Sequence, residues 1–261
     1  MKLLNSIKGI LSDIDGTLYF KGKPIPGAIE AINLLRDRDI KLLFFTNTDS
    51  KTPKHIYTIL KNYGFELNEE EIFTPLIALK EYLSNQLDRK IYLVATEEVR
   101  EEFKDFLHIK EAETPDFVII SDFHDNWDVN RLNNAFKYVK KYNAKLLGTQ
   151  GNKYYLDRNG EPVIDTGSFV QMIAMAANVK PTIFGKPSKE YFTQALKKLN
   201  LLANEVVVVG DDIESDIQGA RNANIRGILV KTGKGQLYDP LAQDINPFKV
   251  IDSIKSVLEL L

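Results

Sequence analysis

The chain has no cysteine. Disulfides, thiolate metal sites and cysteine nucleophiles are therefore excluded together. Histidine is almost as scarce: the three present, His55, His108 and His124, are widely spaced. That argues against a histidine-rich metal centre and leaves a hard ion held by oxygen as the expectation for any metal. Neither sign of charge is in excess. Against 34 Lys and Arg stand 36 Asp and Glu, a net charge of −2, so bulk electrostatics draw the protein neither to nucleic acid nor to an anionic membrane. No apolar run approaches the ~20 residues of a membrane helix. A strand begins within the first ten residues, which leaves no room for a signal peptide and makes the cytoplasm the expected location. Internal repeats and low-complexity segments are also missing. What is present is an ordinary globular composition, 44% hydrophobic and 27% charged over 261 residues, enough for one large domain or two of usual size.

Read in order, the chain alternates strands and helices. Ile10-Leu11 is an apolar run that reads as a buried strand, broken at Gly16. A polar loop containing Gly22 and Pro24 follows, then a helix from Ala28 to Arg38 opened by Pro26, then a buried strand from Ile40 to Thr46. Thr52-Pro53 has the form of an N-cap and first helical position, and Gly64 of the end of that helix. Thr74-Pro75 opens another helix, Leu76 to Gln86. Strands are expected at Ile91 to Ala95, Phe117 to Ser121 and Lys145 to Thr149, separated by helices from Glu97 to Phe106 and Leu132 to Tyr142. Lys153 to Ile164 reads as a hairpin turning at Asp157-Arg158-Asn159-Gly160, followed by a helix from Ser168 to Ala177. The first register then returns. A short strand, Thr182 to Phe184, precedes Gly185-Lys186-Pro187. A helix runs from Lys189 to Leu199, and Val206 to Val209 is the strongest buried-strand signal in the chain. A helix opened by Ser215-Asp216, a strand from Ile225 to Val230, a loop at Thr232-Gly233-Lys234-Gly235 and a helix from Ser253 to Leu261 complete it. The alternation favours a parallel α/β sheet with right-handed crossovers.

The first strand ends in Asp13-Ile14-Asp15-Gly16-Thr17. Period-2 spacing on an extended backbone sends both carboxylates the same way. At about 4 Å and an effective dielectric of about 20 they repel by roughly 4 kcal/mol, which a cation or a proton on one of them would relieve. Asp13 is thus a candidate nucleophile or metal ligand, and Asp15 a candidate proton donor. The pair alone is equally compatible with a solvated turn. Three further strand ends carry polar punctuation: Thr46-Asn47, Lys186, and Gly210-Asp211-Asp212 with Asp216. Ligands of open parallel sheets bind outside the carboxyl ends of the strands, so if these strands share one sheet the four groups converge. Carboxylates at that density suit Mg²⁺. A lysine, a threonine hydroxyl and an asparagine amide suit phosphoryl oxygens. Phosphoryl transfer through an aspartyl phosphate is the chemistry that uses all of them.

These motifs resemble those of the haloacid dehalogenase superfamily of phosphatases. Asp13-Ile14-Asp15-Gly16-Thr17 is similar to its first motif, Thr46-Asn47 to its second, Lys186 to its third, and Gly210-Asp211-Asp212 with Asp216 to its fourth. The Gly-Lys-Pro form and the long insert before it resemble the NagD-type branch, which includes nitrophenylphosphatase-like enzymes. The resemblance implies a Rossmann-like core over residues 1–76 and 182–261, with an inserted α/β cap over 77–181. It implies Asp13 as nucleophile and Mg²⁺ ligand, and Asp15 as general acid and base with its carbonyl on the metal. Thr46, Asn47 and Thr48 would hold the phosphoryl group, and Lys186 would neutralise its charge. Asp211 would be the third metal ligand, with Asp212 and Asp216 behind it. The expected substrates are small phosphorylated metabolites, and a homodimer through the cap is left open. Two stretches depart from the family pattern and bear on substrate rather than reaction: Thr48-Asp49 and Asp165-Thr166-Gly167-Ser168. The segment Tyr154 to Ser168 is the expected lid surface. Tyr154-Tyr155, Trp127 and Lys140-Lys141 otherwise read as structural. A catalytically silent phosphate-binding protein on the same fold is the alternative.

Overall fold

The computed structural model describes residues 6–86, 88–106, 114–157, 159–239 and 244–261. His108, and Arg158 in the expected hairpin turn, lie outside the described residues. The chain opens on β1 (Gly9–Ser12), a small hairpin of β2 (Tyr19–Phe20) and β3 (Lys23–Pro24), α1 (Ala28–Arg36), β4 (Lys41–Phe45), α2 (Pro53–Asn62) and β5 (Ile72–Phe73). It continues through α3 (Pro75–Ser84), β6 (Ile91–Val94), α4 (Glu97–Glu102), β7 (Phe117–Ile120), α5 (Val129–Tyr142) and β8 (Lys145–Gly148). The antiparallel pair β9 (Tyr154–Leu156) and β10 (Pro162–Ile164) precedes α6 (Thr166–Ala177) and β11 (Thr182–Ile183). The last part holds α7 (Lys189–Leu199), β12 (Val206–Gly210), a π-helical turn at Ile213–Ile217 leading into α8 (Gln218–Asn222), β13 (Arg226–Val230) and β14 (Lys249–Ile251).

Two parallel sheets organise these elements. One has the order β14-β13-β12-β1-β4-β5, the other β11-β8-β7-β6. The mixed α/β architecture expected from the alternation is present. β1 and β12 lie at the centre of the six-stranded sheet, and every residue of both is buried, as a parallel sheet covered on both faces requires. Helix starts follow the sequence signals: Thr52 accepts a hydrogen bond from the His55 N–H at 3.2 Å, ahead of Pro53, and Thr74 caps α3 ahead of Pro75.

The strand before Lys186 corrects the sequence reading. β11 pairs in parallel with β8, Thr182 opposite Leu147, so it is the edge of the second sheet and does not share a sheet with β1. Two residues carry no period, and the pairing is decided by what lies beside them in space. The stretch read as a loop around Gly22 contains β2 and β3. The short β5 and β14 extend the first sheet unannounced. The last helix is a 3₁₀ turn at Ile254–Glu259.

One apolar cluster joins the sheets. It runs from Leu11, Leu43 and Phe45 of the first through Leu79 and Leu83 of α3 to Leu93, Phe117 and Leu147 of the second. Beneath the end of β4, Phe45 stacks on Tyr191 at 4.4 Å and meets Phe192 edge-on at 4.8 Å. Truncating such a ring to alanine costs about 3–5 kcal/mol. Among the described residues no helix is long and apolar enough to cross a membrane.

Candidate active site

Asp13 is the first residue beyond β1. Its N–H still donates to the Val209 carbonyl at 2.8 Å, so the backbone stays in the sheet while the carboxyl leaves it. At Gly16 the chain turns with φ +84°, and a Cβ there would lie 2.2 Å from Asp211 Oδ2. Only glycine fits both the left-handed backbone and this close approach. Lys186 is 2% exposed and reaches between two carboxylates, with Nζ 2.6 Å from both Asp13 Oδ1 and Asp216 Oδ1. It arrives from the end of the second sheet, and Asn47 at the end of the first holds it there. Asn47 Oδ1 accepts from the Lys186 N–H at 2.7 Å, and Nδ2 donates to the Lys186 carbonyl at 3.0 Å and to Asn152 Oδ1 at 2.9 Å. The groups expected to converge do converge, from two sheets instead of one.

Around them the second motif forms a hydroxyl relay. The Thr46 hydroxyl lies 2.9 Å from the Thr48 hydroxyl, which donates to Asp15 Oδ2 at 3.1 Å. The carboxylates of Asp13, Asp211 and Asp216 each bring one oxygen within 4.8 Å of the others. Asp216, expected behind the ligands, thus lies in the same group as Asp211. Asp212 points away from it: its Oδ1 caps the π turn through the Glu214 and Ser215 N–H groups, and its Oδ2 takes Lys234 Nζ at 2.6 Å. All of these face a cleft of about 540 Å³ whose far wall carries Tyr155, Asp157 and Asp165. Tyr155, whose pair with Tyr154 reads as structural but which falls within the expected lid surface, lines the cleft.

Residues 10–106 match the family described as haloacid dehalogenase-like hydrolase, and residues 183–257 match a HAD-hydrolase-like family. The chain is 33% identical to haloacid dehalogenase-like hydrolase domain-containing protein 2 of Bos taurus, over 95% of this chain and 92% of that protein. The chain belongs to the haloacid dehalogenase-like hydrolase family. It is also 29% identical to the human phospholysine phosphohistidine inorganic pyrophosphate phosphatase, over 100% of this chain and 96% of that one. Two similar solved structures are a 4-nitrophenylphosphatase from Thermotoga maritima (TM-score 0.87, 25% identity, 98% of each chain) and NagD from E. coli (TM-score 0.82, 26% identity, 95% of this chain and 97% of that one). The resemblance read from the motifs, to NagD-like members of this family, is borne out, and with it the expected hydrolase class.

The family's motif residues here sit in a strongly perturbed electrostatic setting. Burial pushes the Asp13 carboxyl up to about 7, against the pull of Lys186 and with a further push from Asp216. Burial, then the charges of Asp13 and Asp216, hold Asp211 well above the carboxylate range. Burial alone would lower the Lys186 ammonium, but Asp13 and Asp216 outweigh it and hold it above the ordinary lysine value. Buried carboxylates facing so little positive charge are a donor set that suits a hard divalent cation.

Three residues that complete the site escaped the sequence reading. Lys234 bridges Asp212 and the Tyr154 carbonyl (2.7 Å), and its N–H donates to Asp211 Oδ2 at 2.6 Å. It follows β13 in Thr232-Gly233-Lys234-Gly235, and the strand-end rule that found Lys186 would have found it too. The Tyr191 hydroxyl lies 2.9 Å from the Thr46 and Phe73 carbonyls, and no motif marks it. Asp49, noted only as a departure from the family pattern, is 3% exposed and tied to the second sheet. Burial first, then the charges of Asp165 and Asp122, push it up to about 8.

Proposed function

We propose that the protein is an Mg²⁺-dependent phosphatase that hydrolyses small phosphorylated metabolites, phosphomonoesters, through an aspartyl phosphate on Asp13. The observation that carries this reading is the buried Asp13 carboxylate bound to Lys186 at 2.6 Å, beside Asp211 and Asp216 and next to Asp15 on an open cleft. The phosphatase names of the relatives support it. Residues 1–76 and 182–261 serve as catalytic core and 77–181 as cap, except that β11, at 182–183, belongs with the cap because it pairs with β8.

In this reading Asp13 attacks phosphorus and the bond from phosphorus to the ester oxygen breaks. Asp15, steadied by the Thr48 hydroxyl, protonates the departing oxygen. Asp15 then takes a proton from the water that attacks the phosphorus of the aspartyl phosphate. Inorganic phosphate leaves and Asp13 is restored. Lys186 offsets negative charge at Asp13 and on the phosphoryl group. The Asn47 side chain is committed to Lys186 and Asn152, so its contribution to phosphoryl binding is its main chain and its grip on the lysine. Mg²⁺, held by Asp13, the Asp15 carbonyl and Asp211, would supply charge neutralisation for the phosphoryl oxygens; Asp216 lies in the same carboxylate group, steadied by the Asp212 N–H at 3.1 Å.

Nitrophenyl phosphate and a panel of phosphorylated metabolites test the proposal. Phosphate release with Mg²⁺, its loss in EDTA and its return on adding Mg²⁺ is the expected result. No release from any ester would favour the silent phosphate-binding alternative.

A further inference from the structure

The phosphate loop, residues 46–50, is held mainly from the second sheet. Asp49 Oδ2 accepts from the Thr149 hydroxyl at 2.5 Å, the Thr166 hydroxyl at 2.9 Å and the Asp122 N–H at 3.1 Å. The Ser121 hydroxyl donates to the Asp49 carbonyl at 2.8 Å, and the Thr96 hydroxyl to the Ser50 carbonyl at 3.1 Å. Ser121 and Thr149 directly follow β7 and β8, and Thr166 opens α6. The crevice beyond the carboxyl ends of a parallel sheet is where an anionic ligand would bind. Here the protein's own carboxylate, carried on the loop of the other sheet, fills it. One residue earlier, the Thr48 hydroxyl donates to Asp15. The loop that Asp49 anchors thus also carries the hydroxyl that holds one oxygen of the Asp15 carboxyl.

We propose that Asp49 is a positioning residue: it keys the phosphate loop into the hydroxyls of Thr149 and Thr166 and so makes proton transfer by Asp15 depend on the cap. This rests on the phosphatase reading for its kinetic consequence, though not for its structural one. Neither Asp49 nor Thr149 is assigned a contact with the phosphoryl group. Their effect should fall on the step that needs the Asp15 proton.

The test uses the full-length protein as Asp49→Ala, Asp49→Asn, Thr149→Val and the double variant Asp49→Ala/Thr149→Val. Expected is a kcat loss of at least about tenfold on an alkyl phosphate such as glycerol phosphate, for both Asp49→Ala and Thr149→Val. The loss on nitrophenyl phosphate, whose leaving group needs little proton, should be several-fold smaller. Asp49→Asn, which keeps an acceptor for the two hydroxyls, should recover most of the activity. The double variant should be no worse than Asp49→Ala alone, because one interaction cannot be lost twice. Independently of turnover, amide hydrogen exchange in residues 46–50 should speed up in both single variants while the strands of the first sheet stay protected. Unchanged exchange in this loop in folded Thr149→Val would overturn the inference, as would equal losses on alkyl and aryl phosphates or additive effects in the double variant. A wild-type protein that releases no phosphate would defeat the phosphatase reading, while the exchange measurement still decides this one.

Discussion

Replacing Lys186 with methionine keeps the length of the side chain and removes its charge. Lys186 Nζ lies 2.6 Å from Asp13 and 2.6 Å from Asp216, with all three side chains buried. Removing one member of a buried ion pair leaves charge uncompensated and costs about 3–5 kcal/mol. The cost depends on pH, with a definite sign. Lys186 pulls both carboxyls down, so in its absence both rise further above the ordinary value of 3.8. A carboxyl raised in the folded state binds more protons there than in the unfolded chain. Stability then falls as pH rises from the unfolded value towards the folded one. The variant should therefore lose about 3–5 kcal/mol at pH 8 and clearly less at pH 5, measured by urea unfolding in EDTA. Its kcat should fall by about 10²–10³-fold. A loss under about 1 kcal/mol at pH 8, or the same loss at both pH values, would refute the buried-triad reasoning.

Asp15→Ala should depress kcat on alkyl phosphates more than on nitrophenyl phosphate; equal losses would remove Asp15 from the role of acid. Gly16→Ala places a Cβ 2.2 Å from Asp211 Oδ2 on a backbone at φ +84°, so it should cost about 1–3 kcal/mol and raise the Mg²⁺ concentration needed for half-maximal activity, read by thermal unfolding and a metal titration. Tyr155→Ala, in the lining of the cleft, should reorder a panel of metabolite phosphates while leaving acetyl phosphate hydrolysis nearly unchanged; a uniform fall across the panel would make Tyr155 a structural residue.

The parts of the molecule legible in the sequence are those where one local rule decides. The Val206–Val209 run is short and wholly β-branched, which marks a strand buried on both faces. Thr52-Pro53 and Thr74-Pro75 are helix starts because the hydroxyl accepts an N–H that has no partner inside the helix. What escaped is decided by contacts distant in sequence. β5 is two residues long and β14 three, too short for a period. β11 reads identically whether it borders one sheet or the other, and its pairing with β8 is a tertiary outcome. The partners of Asp49 lie between 72 and 117 residues away, beyond any motif spacing, and Lys234 reads as loop although it stands at a strand end like Lys186.

An enzyme that works through Asp13 should carry a phosphoryl group on that residue during turnover. Acid-quenching the enzyme while it hydrolyses nitrophenyl phosphate, followed by mass spectrometry of the peptide containing residues 9–20, tests this directly. A peptide heavier by one phosphoryl group, stable in acid and released by hydroxylamine, is predicted for the wild type. It should be absent in Asp13→Asn, whose kcat should fall at least about 10³-fold with the fold intact. Turnover with no phosphorylated peptide, together with Asp13→Asn activity within a few-fold of wild type, would rule out Asp13 as the nucleophile.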